Sequence, residues 1–148
     1  MAVLTTTITE DVFINGAQRG STSILTVTGV NEVLHRLISV PLSGLGYTTL
    51  MTTDTLGGGS TVIPASFKYL RVTNSSSDDV TASLYLKVQT ANSEAVFTLD
   101  NGESFVLTNK DVYAGTGVDQ AFSFANLKSI KAGATGAACL TEVFLATA

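Results

Sequence analysis

The chain has 148 residues, a formal net charge of −4 and 14% charged residues, with a pI near 4.7. That length fits one domain whose core stands without disulfides or metals, and the single cysteine forms no intrachain disulfide framework. The basic residues are scattered at Arg19, Arg36, Lys68, Arg71, Lys87, Lys110, Lys128 and Lys131, which argues against a phosphate-binding patch and hence nucleic acid, and no apolar run reaches the ~18 residues of a membrane helix.

The predicted elements are nearly all strands. Residues 5–14 read as extended, Asn15-Gly16 turns the chain, and residues 23–28 form a short strand. Residues 30–40 fit two patterns: Val30, Val33, Leu34, Leu37 and Ile38 make a helical stripe, whereas Leu34, Arg36, Ile38 and Val40 alternate as a strand. The β-branched content near Pro41 favours the strand. Gly57-Gly58-Gly59 and Ile63-Pro64 mark a loop ahead of the more regular second half.

There, residues 67–74 and 80–89 flank a polar stretch, Ser75-Ser76-Ser77-Asp78-Asp79, and read as a hairpin. Over residues 80–89, Val80, Ala82, Leu84, Leu86 and Val88 take one face and Thr81, Ser83, Tyr85, Lys87 and Gln89 the other, the period-two mark of a strand with one buried face. Residues 94–99 and 104–108 predict a second hairpin across Asp100-Asn101-Gly102-Glu103, because Asn-Gly tolerates the positive φ angles of a type I′ turn. Residues 129–132 and 138–146 add two strands separated by Gly133-Ala134-Thr135-Gly136. With no linker or internal repeat, residues 1–148 are expected to form a single all-β domain, a jelly-roll-like β-sandwich of nine or ten short strands.

No catalytic constellation stands out, and the expectation is a non-enzyme without cofactor, metal or small-molecule substrate. His35 is the single histidine and reads as a structural or surface residue, since imidazole chemistry needs an orienting partner. Cys139, in Ala137-Ala138-Cys139-Leu140, reads as a buried small hydrophobe. Asp78-Asp79 and Asp100-Asn101-Gly102-Glu103 lack calcium-loop spacing and read as turns whose side chains satisfy local backbone groups. Gly57-Gly58-Gly59 lacks the Gly-Lys-Ser/Thr ending of a phosphate loop. A glycosidase would need paired carboxylates, and the absence of tryptophan argues against a sugar cleft. Asn74-Ser75-Ser76 reads as a chance glycosylation sequon, because Met1 to Glu10 shows no signal-peptide layout.

Composition points towards assembly. About a quarter of the residues are Ser or Thr, yet mean hydropathy is +0.34, so hydroxyl groups replace surface charge. Such a surface is easily desolvated. Tyr47, Tyr69, Tyr85 and Tyr113 are candidate interface anchors, because interfaces favour tyrosine; ordinary half-buried sheet tyrosines are the competing reading, and the interface residues are otherwise unassigned.

The stretch Tyr69-Leu70-Arg71-Val72-Thr73-Asn74, the alternating strand from Val80, the run from Phe97 through Asn101-Gly102 to Leu107, and the closing Glu142-Val143-Phe144-Leu145-Ala146 resemble small structural proteins of tailed-bacteriophage virions. The opening Ile8-Thr9-Glu10-Asp11-Val12-Phe13-Ile14-Asn15-Gly16 is similar to them too. The resemblance implies a head decoration (cement) protein, made in the host cytoplasm, placed on the outer capsid surface and bound to the major capsid protein as a homo-oligomer, with a trimer favoured. A neck, tail or fibre module is the alternative, and a carbohydrate-binding sandwich a more distant one.

Overall fold

Alternating side-chain polarity is realised as strand along most of the chain. The computed structural model describes residues 2–42, 44, 46–54, 61–63, 66–76, 82–90, 93–108 and 127–148. In order, the elements are β1 (Ala2–Thr9), β2 (Phe13–Ile14), β3 (Ala17–Gln18), β4 (Thr22–Val30), β5 (Glu32–Val40), β6 (Thr48–Thr53), β7 (Thr61–Val62), β8 (Phe67–Asn74), β9 (Ser83–Thr90), β10 (Glu94–Leu99), β11 (Ser104–Thr108), β12 (Leu127–Thr135) and β13 (Cys139–Thr147). Apart from the two-residue β2, β3 and β7, ten strands of five residues or more are described, within the expected nine or ten. Of residues 30–40, Val30 ends β4 and Glu32–Val40 is the strand β5, with Leu34, Arg36, Ile38 and Val40 on the less exposed face. The Gly57-Gly58-Gly59 loop, Pro64, Asp78-Asp79, Val80, Thr81, Lys110 and Tyr113 lie outside the described residues.

Two sheets form a sandwich. A five-stranded sheet runs β10-β9-β12-β6-β7 and a four-stranded sheet β11-β8-β13-β5. The antiparallel pairs are nested: β9 with β10, enclosed by β8 with β11, then β6 with β12, then β5 with β13. Successive pairs belong alternately to the two sheets. The short β7 joins β6 in parallel.

This wiring corrects both expected hairpins. β8 lies in the four-stranded sheet and β9 in the five-stranded sheet, and β10 and β11 are divided in the opposite sense. Alternation reveals that a strand has one buried face, but not which sheet it joins. A connection of four or more residues can cross the roughly 10 Å between stacked sheets. The turn chemistry agrees, since at Asn101-Gly102 only Gly102 has a positive φ, whereas Asn15 (φ 52°) and Gly16 (φ 77°) both do. The type I′ signature therefore falls on β2–β3. The turn expected at residues 133–136 also moves, because β12 continues through Gly133 to Thr135.

Between the sheets lies the main core, including Leu50, Met51, Phe67, Leu70, Val72, Leu84, Leu86, Ile130 and Val143. Burying each such side chain stabilises by roughly 1.5–3 kcal/mol. Cys139 belongs to this core. At one open side the Phe97 and Phe105 rings, 5.0 Å apart, join β10 to β11. At the other, Arg36 Nη2 on β5 donates to the Leu50 carbonyl on β6 at 3.1 Å.

Asn74 ties the crossings together. Its side-chain amide is fully buried and donates to the carbonyls of Ala82 (3.1 Å) and Leu99 (3.0 Å). Its Oδ1 accepts from Ser76 N at 3.3 Å, while its backbone exchanges bonds with Glu103 and Gly102. One side chain thus satisfies backbone groups at two of the crossings between sheets, β8 to β9 and β10 to β11.

The first 30 residues stand apart. β1 pairs with β4 over eight rungs, Glu10 N and Arg19 N donate to Ser21 O and Val12 O, and β2 pairs with β3 at the tip. The result is a two-stranded ribbon from Ala2 to the Asn15-Gly16 turn and back to Val30. Its register shifts next to Gly29, whose φ is 72°, a bulge that lets the ribbon change direction. The base packs on the outer face of the four-stranded sheet, where Val27 and Val30 meet Tyr69 and Ala146, flanked by Leu4, Leu25 and Phe144.

Candidate interaction surface

Strand alternation decides what the outer face of the four-stranded sheet presents. The strand register sets Val33 beside Ala146 and Tyr69, His35 beside Phe144 and Arg71, and Leu37 beside Glu142 and Thr73. The ribbon covers Tyr69 and Ala146 in the first of these rows, so Tyr69 is only 2% exposed. The rows below it are open.

At the centre of the open part, the Glu142 carboxylate accepts from Arg71 Nη2 at 2.6 Å and lies 2.8 Å from His35 Nε2. All three groups are partly exposed. Phe144 anchors the cluster, with the His35 ring centroid at 5.9 Å, the Tyr69 ring edge-on at 6.0 Å and the Arg71 guanidinium at 5.9 Å. The Arg71 distance is at the outer limit for attraction to a ring face. Around these groups Leu37 (63% exposed), Leu140, Val33 and Val106 show large apolar side chains to solvent. An aromatic and an arginine held by packing, ringed by accessible apolar groups, is the composition of an interface centre. Glu142 holds Arg71 in a fixed orientation, which lowers the entropy lost when a partner is bound.

The outer face of the five-stranded sheet is more polar. It carries Ser83, Tyr85, Lys87 and Gln89 from β9 opposite Thr135, Gly133, Lys131 and Ser129 from β12. Lys87 Nζ bonds Glu94 at 3.1 Å and lies 4.9 Å from the Tyr47 ring centroid. A cleft of about 360 Å³ opens beside β5 and β7, lined mainly by Val33, Leu34, Val62, Ile63, Leu145 and Thr61, with the Glu32 carboxylate among its lining groups.

Of the tyrosines singled out in the sequence, Tyr47 is exposed, Tyr85 is half-buried on the five-stranded sheet and Tyr69 is covered by the ribbon. They do not come together as one patch. His35 is a surface residue paired with Glu142. Asp100 and Glu103 form a turn, in which Glu103 Oε2 accepts from Asp100 N at 2.9 Å and Asp100 Oδ1 accepts from Ser83 Oγ at 2.7 Å. Among the described residues no group of three His, Cys, Asp or Glu side chains comes together as a metal ligand set. Sequence reasoning missed Arg71, Glu142, Phe144 and Leu37 as a cluster. One signal was present: Val143-Phe144-Leu145-Ala146 is apolar on both faces, as a strand covered from both sides must be.

Protein-family models, curated proteins and solved structures were each compared with the chain, and none matches it.

Proposed function

We propose that this chain is a structural protein of a tailed-bacteriophage virion, a head decoration (cement) protein that binds and stabilises the lattice of the major capsid protein. The observation that carries the reading is the open apolar surface around Phe144 and Arg71, on a chain with 14% charged residues. Large apolar patches on an otherwise hydroxyl-rich skin mark surfaces meant to be covered by protein. The nested antiparallel strand order, alternating between two sheets, supports the jelly-roll form of the sandwich, an architecture frequent in virion proteins. In this role the outer face of the four-stranded sheet meets the capsid, with Leu37, Leu140 and Val106 filling its depressions and Arg71 supplying the polar anchor. A stable contact of this kind covers at least about 1,000 Å² in total.

The test is co-sedimentation of purified protein with capsids that lack it, taken from the phage encoding the chain. Saturable binding in fixed ratio to the major capsid protein is expected, and Leu37→Ser with Leu140→Ser should weaken it about tenfold or more. Saturation at a handful of copies per particle would favour a neck, tail or fibre module instead, and no binding at all would remove the virion reading of this surface.

A further inference from the structure

The ribbon's tip is the least explained part of the molecule. Phe13 is 70% exposed and Ile24 66%, with Ile8, Val12 and Ile14 also open to solvent. A lone two-stranded ribbon is marginally stable in water, and among the described residues the apolar side chains that could hold it pack on the sandwich only at its base. Its tip also carries two adjacent carboxylates, Glu10 and Asp11, whose side-chain partners among the described residues are the uncharged Ser21 and Gln18.

A complementary arrangement lies on the outer face of the five-stranded sheet. Lys131 is directly opposite Lys87 across β12 and β9, a placement that destabilises a sheet by like-charge repulsion. Lys87 has Glu94 nearby, but Lys131 has no counter-ion within 4 Å among the described residues. Exposed Val96 is the partner of Lys87 on β10, and exposed Tyr47 stands over Lys87.

We propose that the ribbon tip of one copy docks on the outer face of the five-stranded sheet of a second copy, with Glu10 and Asp11 meeting Lys87 and Lys131 and Phe13 and Ile14 packing on Val96 and Tyr47. The charge pattern argues for a second copy over a foreign partner, because one chain carries both halves of the match, acidic groups at the ribbon tip and lysines on the sheet face. At ~3.3 Å per residue the strand from Ile8 to Ile14 spans about 23 Å, so a tip face roughly 10 Å wide offers about 230 Å². That is below the roughly 800 Å² each partner gives in a standard stable interface. A single tip contact is therefore weak, and a copy that gives a tip to one neighbour and receives one from another is held by two of them. The base of the ribbon sits on one side of the sandwich and the receiving surface on the other, so the contact is head-to-tail.

This inference rests on reading the chain as an assembling structural protein, and its test uses the isolated full-length protein, so it can fail while capsid binding stands. Sedimentation velocity should show the wild type associated at about 100 µM protomer, where a micromolar contact is filled. Glu10→Lys with Asp11→Lys, and separately Lys87→Glu with Lys131→Glu, should each weaken association about tenfold or more, and an equimolar mixture of the two should regain it. A monomeric wild type, or a mixture no tighter than either variant alone, overturns the proposal. Should a variant fail to fold, carbodiimide cross-linking of mixed light and heavy wild-type protein decides: a link from Glu10 or Asp11 to Lys87 or Lys131 between copies is expected, and its absence also overturns the proposal.

Discussion

Asn74 shows how one side chain can hold a fold whose chain repeatedly changes sheets. Its amide donates to two buried carbonyls, those of Ala82 and Leu99. Replacing it with leucine removes this donor from both. Asn74→Leu should lower unfolding free energy by about 2–6 kcal/mol, the sum for two desolvated acceptors, measured by urea denaturation. The same burial makes Asn74 an unsuitable glycosylation acceptor, in keeping with the sequon as a chance match. Glu142 is a different case. Its bonds to Arg71 and His35 are partly solvated, and such pairs contribute about 0–1 kcal/mol. Its weight falls on the orientation of Arg71 at the interaction surface.

Among the elements, the ribbon and the sandwich are stabilised by different means. A Cβ added at Gly20 would lie 1.6 Å from the Glu10 carbonyl oxygen, a backbone atom that cannot turn aside. Gly20→Ala should therefore part the ribbon near its tip and leave the sandwich intact. Trypsin should cleave after Arg19 faster in the variant, while the thermal midpoint shifts by no more than about 2 °C, since the core loses no contact. Equal loss of both would mean that ribbon and sandwich unfold together. The strands themselves were largely legible in the sequence: β9 buries Leu84, Leu86 and Val88 along one face as alternation predicts, with Ala82 buried just ahead of it. The hairpins were not, because alternation is the same whichever sheet a strand joins.

For the whole molecule, stability and association are separable, because the residues that serve them lie on the inner and outer faces of the sheets. Leu86 is fully buried between the sheets, whereas Leu37 and Leu140 face solvent. Leu86→Ala should cost about 2–5 kcal/mol by opening a cavity. Leu37→Ser and Leu140→Ser should each stay within about 0.5 kcal/mol of wild type in the isolated protein. If the serine variants destabilise the isolated protein as much as Leu86→Ala, these leucines are core, and the surface they line serves the fold instead of a partner.

By itself the sequence determined the all-β class, the strand at residues 32–40, the buried face of β9, the burial of Cys139 and the turn role of Asp100 and Glu103. Each of these depends on local alternation, turn chemistry or small-side-chain burial, which neighbouring residues decide. Only the tertiary structure decided that β8 and β9, and β10 and β11, belong to different sheets, that residues 2–30 form a ribbon whose base packs on the four-stranded sheet, and that Arg71, Glu142, His35 and Phe144 meet on one face. Those outcomes depend on contacts between residues more than 100 positions apart, as His35 and Glu142 are, at 107. A period of two tells each strand which side to bury and carries no information about its neighbour.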